Sequence, residues 1–281
     1  MIELTKFAHR IGVDLGRRIA LEKGIRWAAT HDIQYLDCQI DIDPNPFESF
    51  LDERRCAAVR RACEDADVHI GLHTLSAVNI AEISPFLRDA ADAYLRGYID
   101  AAKRLDAKWV EVHASYHFTA DKTLRMTAGL ERLKRAVGYA EEQGIVLQLE
   151  SMNWEPDLAE VHYLGHNVEE CLYYFNAIDS AHLKWAFTIN HATLVPEGIN
   201  GFLEAMPTER LGAVRVADNN GEYELHMFPG TGIINFTETF RSIEATGYAG
   251  HYMSGYGSLD DMLRGRDYLV ARYEEIEASE D

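Results

Sequence analysis

Eight times along the chain a short apolar run gives way to a longer stretch with helical spacing. This alternation limits the fold more than any other feature. Strands are predicted at Arg10–Gly16, Ile33–Asp41, Val68–Thr74, Ala107–Ser115, Ile145–Met152, Leu183–Thr193, Leu211–Asn219 and Tyr248–Gly255. Amphipathic helices are predicted at about 17–31, 53–66, 86–105, 122–143, 167–179, 198–206, 235–246 and 259–277. Some boundaries carry explicit signals. Ser84-Pro85 reads as a capping residue followed by proline in the first helical turn. Gly144 and Gly247 follow their helices as C-terminal glycines do. Alternating strands and helices imply βαβ units and a parallel sheet. Eight units within 281 residues favour closure into one (β/α)8 barrel, a single domain over 1–281, whose usual length is roughly 250 residues. The segment Ile11-Gly12-Val13-Asp14-Leu15-Gly16 has glycines at the wrong spacing for a dinucleotide-binding turn.

In such a barrel, strands buried on both faces should be almost wholly apolar. These are not. His73, Glu111, His113, Gln148, Glu150, Thr188, Asn190, His191, Arg215, Asp218 and Ser254 fall near strand ends, and the C-terminal ends of barrel strands share one mouth. A lone histidine near a strand end is usually a packing residue, and His69, His162, His166, His182 and His251 are read that way. Glu111 reads equally as a floor acid paired with a base. The set is harder to dismiss, because a buried charge is costly unless paired or bound to metal. Imidazole and carboxylate together suit a divalent metal (Mn, Zn, Mg or Co) or metal-free acid–base catalysis, and spacing alone does not choose. Beyond the seventh strand, Glu224 and His226 alternate on one side of an extended segment that runs into Pro229-Gly230-Thr231-Gly232.

Five motifs in order resemble the xylose-isomerase-like TIM barrel superfamily of sugar isomerases, epimerases, inosose dehydratases and apurinic endonucleases. They are Gly71-Leu72-His73-Thr74 with Asn79-Ile80-Ala81; Val110-Glu111-Val112-His113-Ala114-Ser115; Leu147-Gln148-Leu149-Glu150-Ser151-Met152; Thr188-Ile189-Asn190-His191-Ala192; and Val214-Arg215-Val216-Ala217-Asp218-Asn219-Asn220-Gly221 with His226-Met227-Phe228-Pro229-Gly230-Thr231-Gly232. The resemblance spans about residues 10–277. It implies a divalent metal on Glu, Asp, His and Glu from strands five to eight. Here only Glu150 survives. The other positions fall on Thr188, on Arg215 and near Ser254. The resemblance also implies further ligands used by the endonuclease branch, and their counterparts are His73, His113 and Glu150 for one ion and His191, Glu224 and His226 for another. Two explanations stand. In one, Arg215 replaces the metal, donates to a substrate oxyanion, and the enzyme is metal-independent. In the other, a metal binds elsewhere in the cluster.

The leading expectation is a sugar isomerase/epimerase-like enzyme that starts by removing a proton next to a carbonyl on a small polyhydroxylated substrate. Loss of the second carboxylate favours a lyase or dehydratase over two-base epimerisation. Expected catalytic residues are Glu150, His191, Arg215 and His113. Expected substrate-binding residues are His73, Asn190, Trp154, Ser254 and Asp218. Expected metal ligands, if metal binds, are Glu150, His73, His113 and His226. The alternatives are a metal-dependent phosphodiesterase of the apurinic endonuclease type and a catalytically silent sugar-binding relative.

A formal net charge of −19 repels phosphate backbones, so no nucleic-acid partner is expected. No apolar run approaches a membrane span, Met1-Ile2-Glu3-Leu4 lacks a signal pattern, and Cys38, Cys56, Cys63 and Cys171 form no C-x-x-C. Reduced thiols in a cytoplasmic protein are expected. The long segment from Met152 to Asn167, with the aromatic residues Tyr116, His117, Phe118, Trp154, Tyr163 and His166, reads as a lid that stacks on a sugar or as a subunit contact. A homo-oligomer is expected.

Overall fold

The computed structural model describes residues 6–41 and 45–280. Met1–Leu4, read above for a targeting signal, lie outside the described residues. Eight parallel strands close on themselves in the order β1 (Ile11–Asp14), β10 (Tyr252–Ser254), β9 (Leu211–Val216), β8 (Leu183–Thr188), β6 (Leu147–Glu150), β4 (Trp109–His113), β3 (His69–His73) and β2 (Tyr35–Cys38). The principal helices around them are α1 (Leu21–His31), α3 (Glu53–Ala66), α4 (Arg88–Leu105), α5 (Lys122–Gln143), α6 (Val168–Ala177), α8 (Gly198–Ala205), α9 (Phe236–Glu244) and α10 (Leu259–Glu280). The expected single (β/α)8 barrel is therefore the fold. Short helices α2 (Pro46–Ser49) and α7 (Ile189–Ala192) and a two-stranded antiparallel sheet, β5 (Tyr116–Phe118) with β7 (Val161–Tyr163), complete it.

The two-residue period of a strand decides what enters the barrel. On β4, Trp109, Glu111 and His113 share one face, while Val110 and Val112 pack outward with the core. On β6 the same parity sends Gln148 and Glu150 inward. Close packing at the strand starts depends on glycine. A Cβ at Gly71 would lie 2.0 Å from the Trp109 indole, so only hydrogen leaves room for that ring. Trp109 and Tyr35 both pack against the His251 ring, with centroids 4.4 and 4.7 Å away. His251 is thus the packing residue that was expected.

Three local expectations differ from the structure. The predicted strand Leu183–Thr193 stops at Thr188, because the chain turns into α7 and carries Asn190 and His191 on a helical turn. Ser84-Pro85 does not cap α4. The helix starts at Arg88 with no side-chain cap, and the Ser84 carbonyl accepts from the Leu87 and Arg88 amides in a preceding turn. The segment from Met152 to Asn167 is not only loop, since its Val161–Tyr163 pairs with Tyr116–Phe118. By contrast Gly144 ends α5 at φ 73°, as a left-handed cap. All four cysteines are free. Among the described residues no helix is long and apolar enough to cross a membrane.

Candidate active site

The C-terminal strand ends converge on a cavity of about 290 Å³. Its wall includes His73, His113, Glu150, His191, Arg215, Glu224 and His226 from the sequence expectations. Asp14, Gln39, Ser76, Met152, Asn153, Glu155 and Tyr163 also line it. A larger hollow of about 560 Å³ lies at the opposite, strand-start end among Arg60, Glu64, Asp67, His69 and Lys108, and none of the strand-end residues faces it.

Beneath the cavity Arg215 is the hub. Its guanidinium lies 2.5 Å from Asp37, 2.5 Å from Asp14, 2.9 Å from Glu111 and 3.6 Å from Glu150. Those carboxylates come from β2, β1, β4 and β6. They are themselves held: Trp109 Nε1 donates to Asp37 Oδ1 at 2.7 Å, and the Gly16 amide donates to Asp14 Oδ1 at 2.7 Å. Three of its five N–H donors go to protein carboxylates, two from NH1 and one from NH2, so most of the fork expected to meet a substrate oxyanion is already engaged. Glu111 is the paired floor acid that was one of its two readings.

Four carboxylates around one guanidinium leave surplus negative charge, and the local acidities follow. Burial pushes Asp14 up, but Arg215 and His73 more than offset it and hold it well below the usual range. Burial dominates for Glu111, pushed up to about 8 against the pull of Arg215 and His73. Burial disfavours the His73 imidazolium, yet Glu111 and Asp14 raise it to about 9. An imidazolium at His73 therefore goes with an ionised Glu111, the two titrating as a pair. Glu150 stays ionised, because His113, Arg215 and His191 outweigh its burial.

Two histidine–carboxylate triads flank the hub. In the first, His73 Nε2 lies 3.1 Å from His113 Nε2, and Glu150 Oε2 lies 3.1 Å from His113 Nε2 and 3.9 Å from His73 Nε2. A four-coordinate ion with bonds of 2.0–2.1 Å would space its ligand atoms about 3.4 Å apart, so these residues fit a divalent ion of that class. In the second, Glu224 Oε1 lies 2.7 Å from His226 Nε2 and 3.4 Å from His191 Nε2. His191 Nδ1 is 2.8 Å from the Ser151 carbonyl and His226 Nδ1 is 2.5 Å from that of Gly255. A carbonyl only accepts, so both Nδ1 atoms carry protons; His191 Nε2 is directed at Glu224 from the cavity wall, and His226 Nε2 donates to the Glu224 carboxylate, which an ion bound there would replace. The position implied by Glu150, Thr188, Arg215 and Ser254 does not fit an ion. Thr188 Oγ1 donates to Glu150 Oε1 at 2.6 Å, Arg215 is cationic, and Ser254 is buried and uncharged.

The structure does not bring Asn190, Trp154, Ser254 or Asp218 to the cavity wall. Asn190 Nδ2 donates to the Leu225 carbonyl, and Trp154 packs half-buried against the core. Asp218 is fully buried, and its carboxylate accepts from the amides of Asn219, Gly230, Gly232 and Ile234. It is a loop organiser, not a substrate ligand. At Gly232 a Cβ would lie 2.2 Å from the Asn219 carbonyl oxygen and 2.4 Å from Asp218 Oδ1, so glycine is required for the loop to close on that carboxylate. The sequence reading missed Asp14 and Asp37, although a lone carboxylate ending an apolar strand is the signal that exposed Glu111.

The sequence profile of the Xylose isomerase-like TIM barrel family matches residues 25–269. The chain is 28% identical, over 212 residues, to an uncharacterized protein of Methanocaldococcus jannaschii, covering 72% of this chain and 69% of that one. Among solved structures it resembles a D-tagatose 3-epimerase-like protein (TM-score 0.84, 23% identity, 97% of this chain and 100% of that one). It also resembles the D-psicose 3-epimerase of Clostridium cellulolyticum H10 with D-tagatose (TM-score 0.77, 15% identity, 95% and 99%).

Proposed function

Because the chain belongs to the xylose isomerase-like TIM barrel family, we propose that it is an enzyme that removes a proton next to the carbonyl of a small, carbohydrate-like polyhydroxylated compound. The observation that carries this reading is Glu150, an ionised carboxylate at the end of β6 that opens on the cavity between two sets of imidazoles. Glu150 accepts the proton. His191, its Nδ1 fixed on the Ser151 carbonyl, takes a proton from solvent at Nε2 and delivers it at the far side or to the leaving hydroxyl, while Glu150 releases the abstracted proton to solvent. His73, as an imidazolium at the cavity wall, polarises the carbonyl in place of the role first given to Arg215. His113 orients Glu150 at 3.1 Å.

With His73 deprotonated, His73, His113 and Glu150 would hold a divalent ion, which would supply Lewis acidity to a substrate carbonyl or hydroxyl in place of the imidazolium. Asp14, Glu155 and Glu224 join Glu150 on the wall, so an uncharged substrate suits the site better than a phosphorylated one. Either an isomerase/epimerase or a lyase outcome uses the same first step. Turnover across a panel of ketoses and cyclic keto-polyols, with Mn, Zn, Mg or Co supplied in turn, tests the proposal. Conversion lost in Glu150→Gln supports it, and no conversion under any of these conditions would sink it.

The two triads also favour a second reading, a metal-dependent phosphodiesterase. The acidic wall and the charge of −19 oppose it. Retention on DNA at low salt, with cleavage at abasic sites, would move it ahead of the first.

A further inference from the structure

We infer that the Arg215 guanidinium is the permanent cation of the barrel centre and shuts divalent ions out of it, so that ions bind only at the two flanking triads. Strand register places Thr188 beside Arg215 and Arg215 beside Met253, with Ser254 next along β10. Across that stretch only Glu150 offers a charged oxygen. The Thr188 hydroxyl already donates to it, and Ser254 Oγ is buried with no hydrogen-bond partner. Carboxylates are abundant nearby, but they point at the guanidinium.

Asp14, Asp37 and His73 form a group whose ligand atoms lie within 4.8 Å of one another. Yet Asp14 Oδ2 and Asp37 Oδ2 each accept an Arg215 N–H at 2.5 Å. An ion there would have to expel a guanidinium bonded to three carboxylates and anchored on β9. Arginine cannot shed its charge by deprotonation. Hence the centre keeps a cation that no chelator removes, whereas the triads exchange theirs.

Counting ions reads the centre without any turnover assay, so failure of the proposed reaction leaves this test intact. Arg215→Met strips the cation from Asp14, Asp37, Glu111 and Glu150. Four clustered carboxylates suit a hard ion such as Mn²⁺. Equilibrium dialysis against Mn²⁺ with elemental analysis should find one more ion per chain in Arg215→Met than in the unmodified protein. A variant that is folded by near-ultraviolet circular dichroism yet binds no extra ion overturns the inference. If that variant does not fold, Asp37→Asn decides. The inference requires the same Mn²⁺ count and affinity as in the unmodified protein, and loss of an ion overturns it.

Discussion

The two triads beside Arg215 share ligand chemistry and differ in what holds them. His73, His113 and Glu150 end three neighbouring barrel strands. Register pairs His73 with Glu111 and His113 with Glu150, so backbone ladders fix their spacing, and all three are buried. His191 instead rides a single helical turn. Glu224 and His226 ride a loop outside the barrel, tied down chiefly by Asp218 and by His226 Nδ1 on the Gly255 carbonyl. One triad is part of the barrel, whereas the other is docked on it. A barrel-borne group is positioned before substrate arrives, as chemistry requires, and a loop-borne group can adjust to what binds.

The largest expected effect lies on the rigid side. Glu150→Gln should lower kcat at least about 100-fold, whereas Glu224→Gln should act mainly on KM. Equal kcat losses in steady-state kinetics would break the comparison. Next comes the anchor of the docked side. Asp218→Ala strands buried amides, at roughly 1–3 kcal/mol each, so urea denaturation should show a clear loss of stability. Zn²⁺ affinity at the His191/Glu224/His226 group should weaken, while that at His73/His113/Glu150 stays.

A smaller effect is pH-dependent. Burial disfavours the His226 imidazolium, but Glu224 more than compensates and raises it. The stabilisation from this pair is present below the ordinary histidine range and is lost as pH rises through the raised value. Amide exchange over 219–232, corrected for intrinsic rate, should therefore speed up on the alkaline side. Exchange in β8, which carries no histidine, should not follow. A second pH effect is at the strand-start end. Burial, then Arg215, pushes His251 down to about 3. The unfolded chain therefore takes up a proton first, and stability falls as pH drops from about 6.5 toward that value. His251→Phe should remove this part of the acid slope in thermal melts.

The same contrast explains what the sequence disclosed. Buried strands announce themselves by apolar runs, and polar residues inside them stand out, so the barrel and the strand-end residues His73, His113, Glu150 and Arg215 were legible. Asp14 and Asp37 carry the same signal, a lone carboxylate in an apolar strand. The β5–β7 pair was hidden because Tyr-His-Phe and Val-His-Tyr are too short to show a period. The work of Asp218 was invisible for another reason. Its partners are backbone amides up to 16 residues away, and a backbone donor has no letter in the sequence. Arg215 was read as a free cation because the carboxylates that occupy it lie 104 to 201 residues distant.

The most direct measurement is proton exchange. The protein is incubated in D2O with each ketose or keto-polyol, with and without divalent metal, and the substrate is followed by NMR. Deuterium appearing at the carbon beside the carbonyl, and disappearing with Glu150→Gln, is the expected result. Exchange that persists in Glu150→Gln, or conversion of a substrate with no exchange at that carbon, would contradict proton abstraction by Glu150.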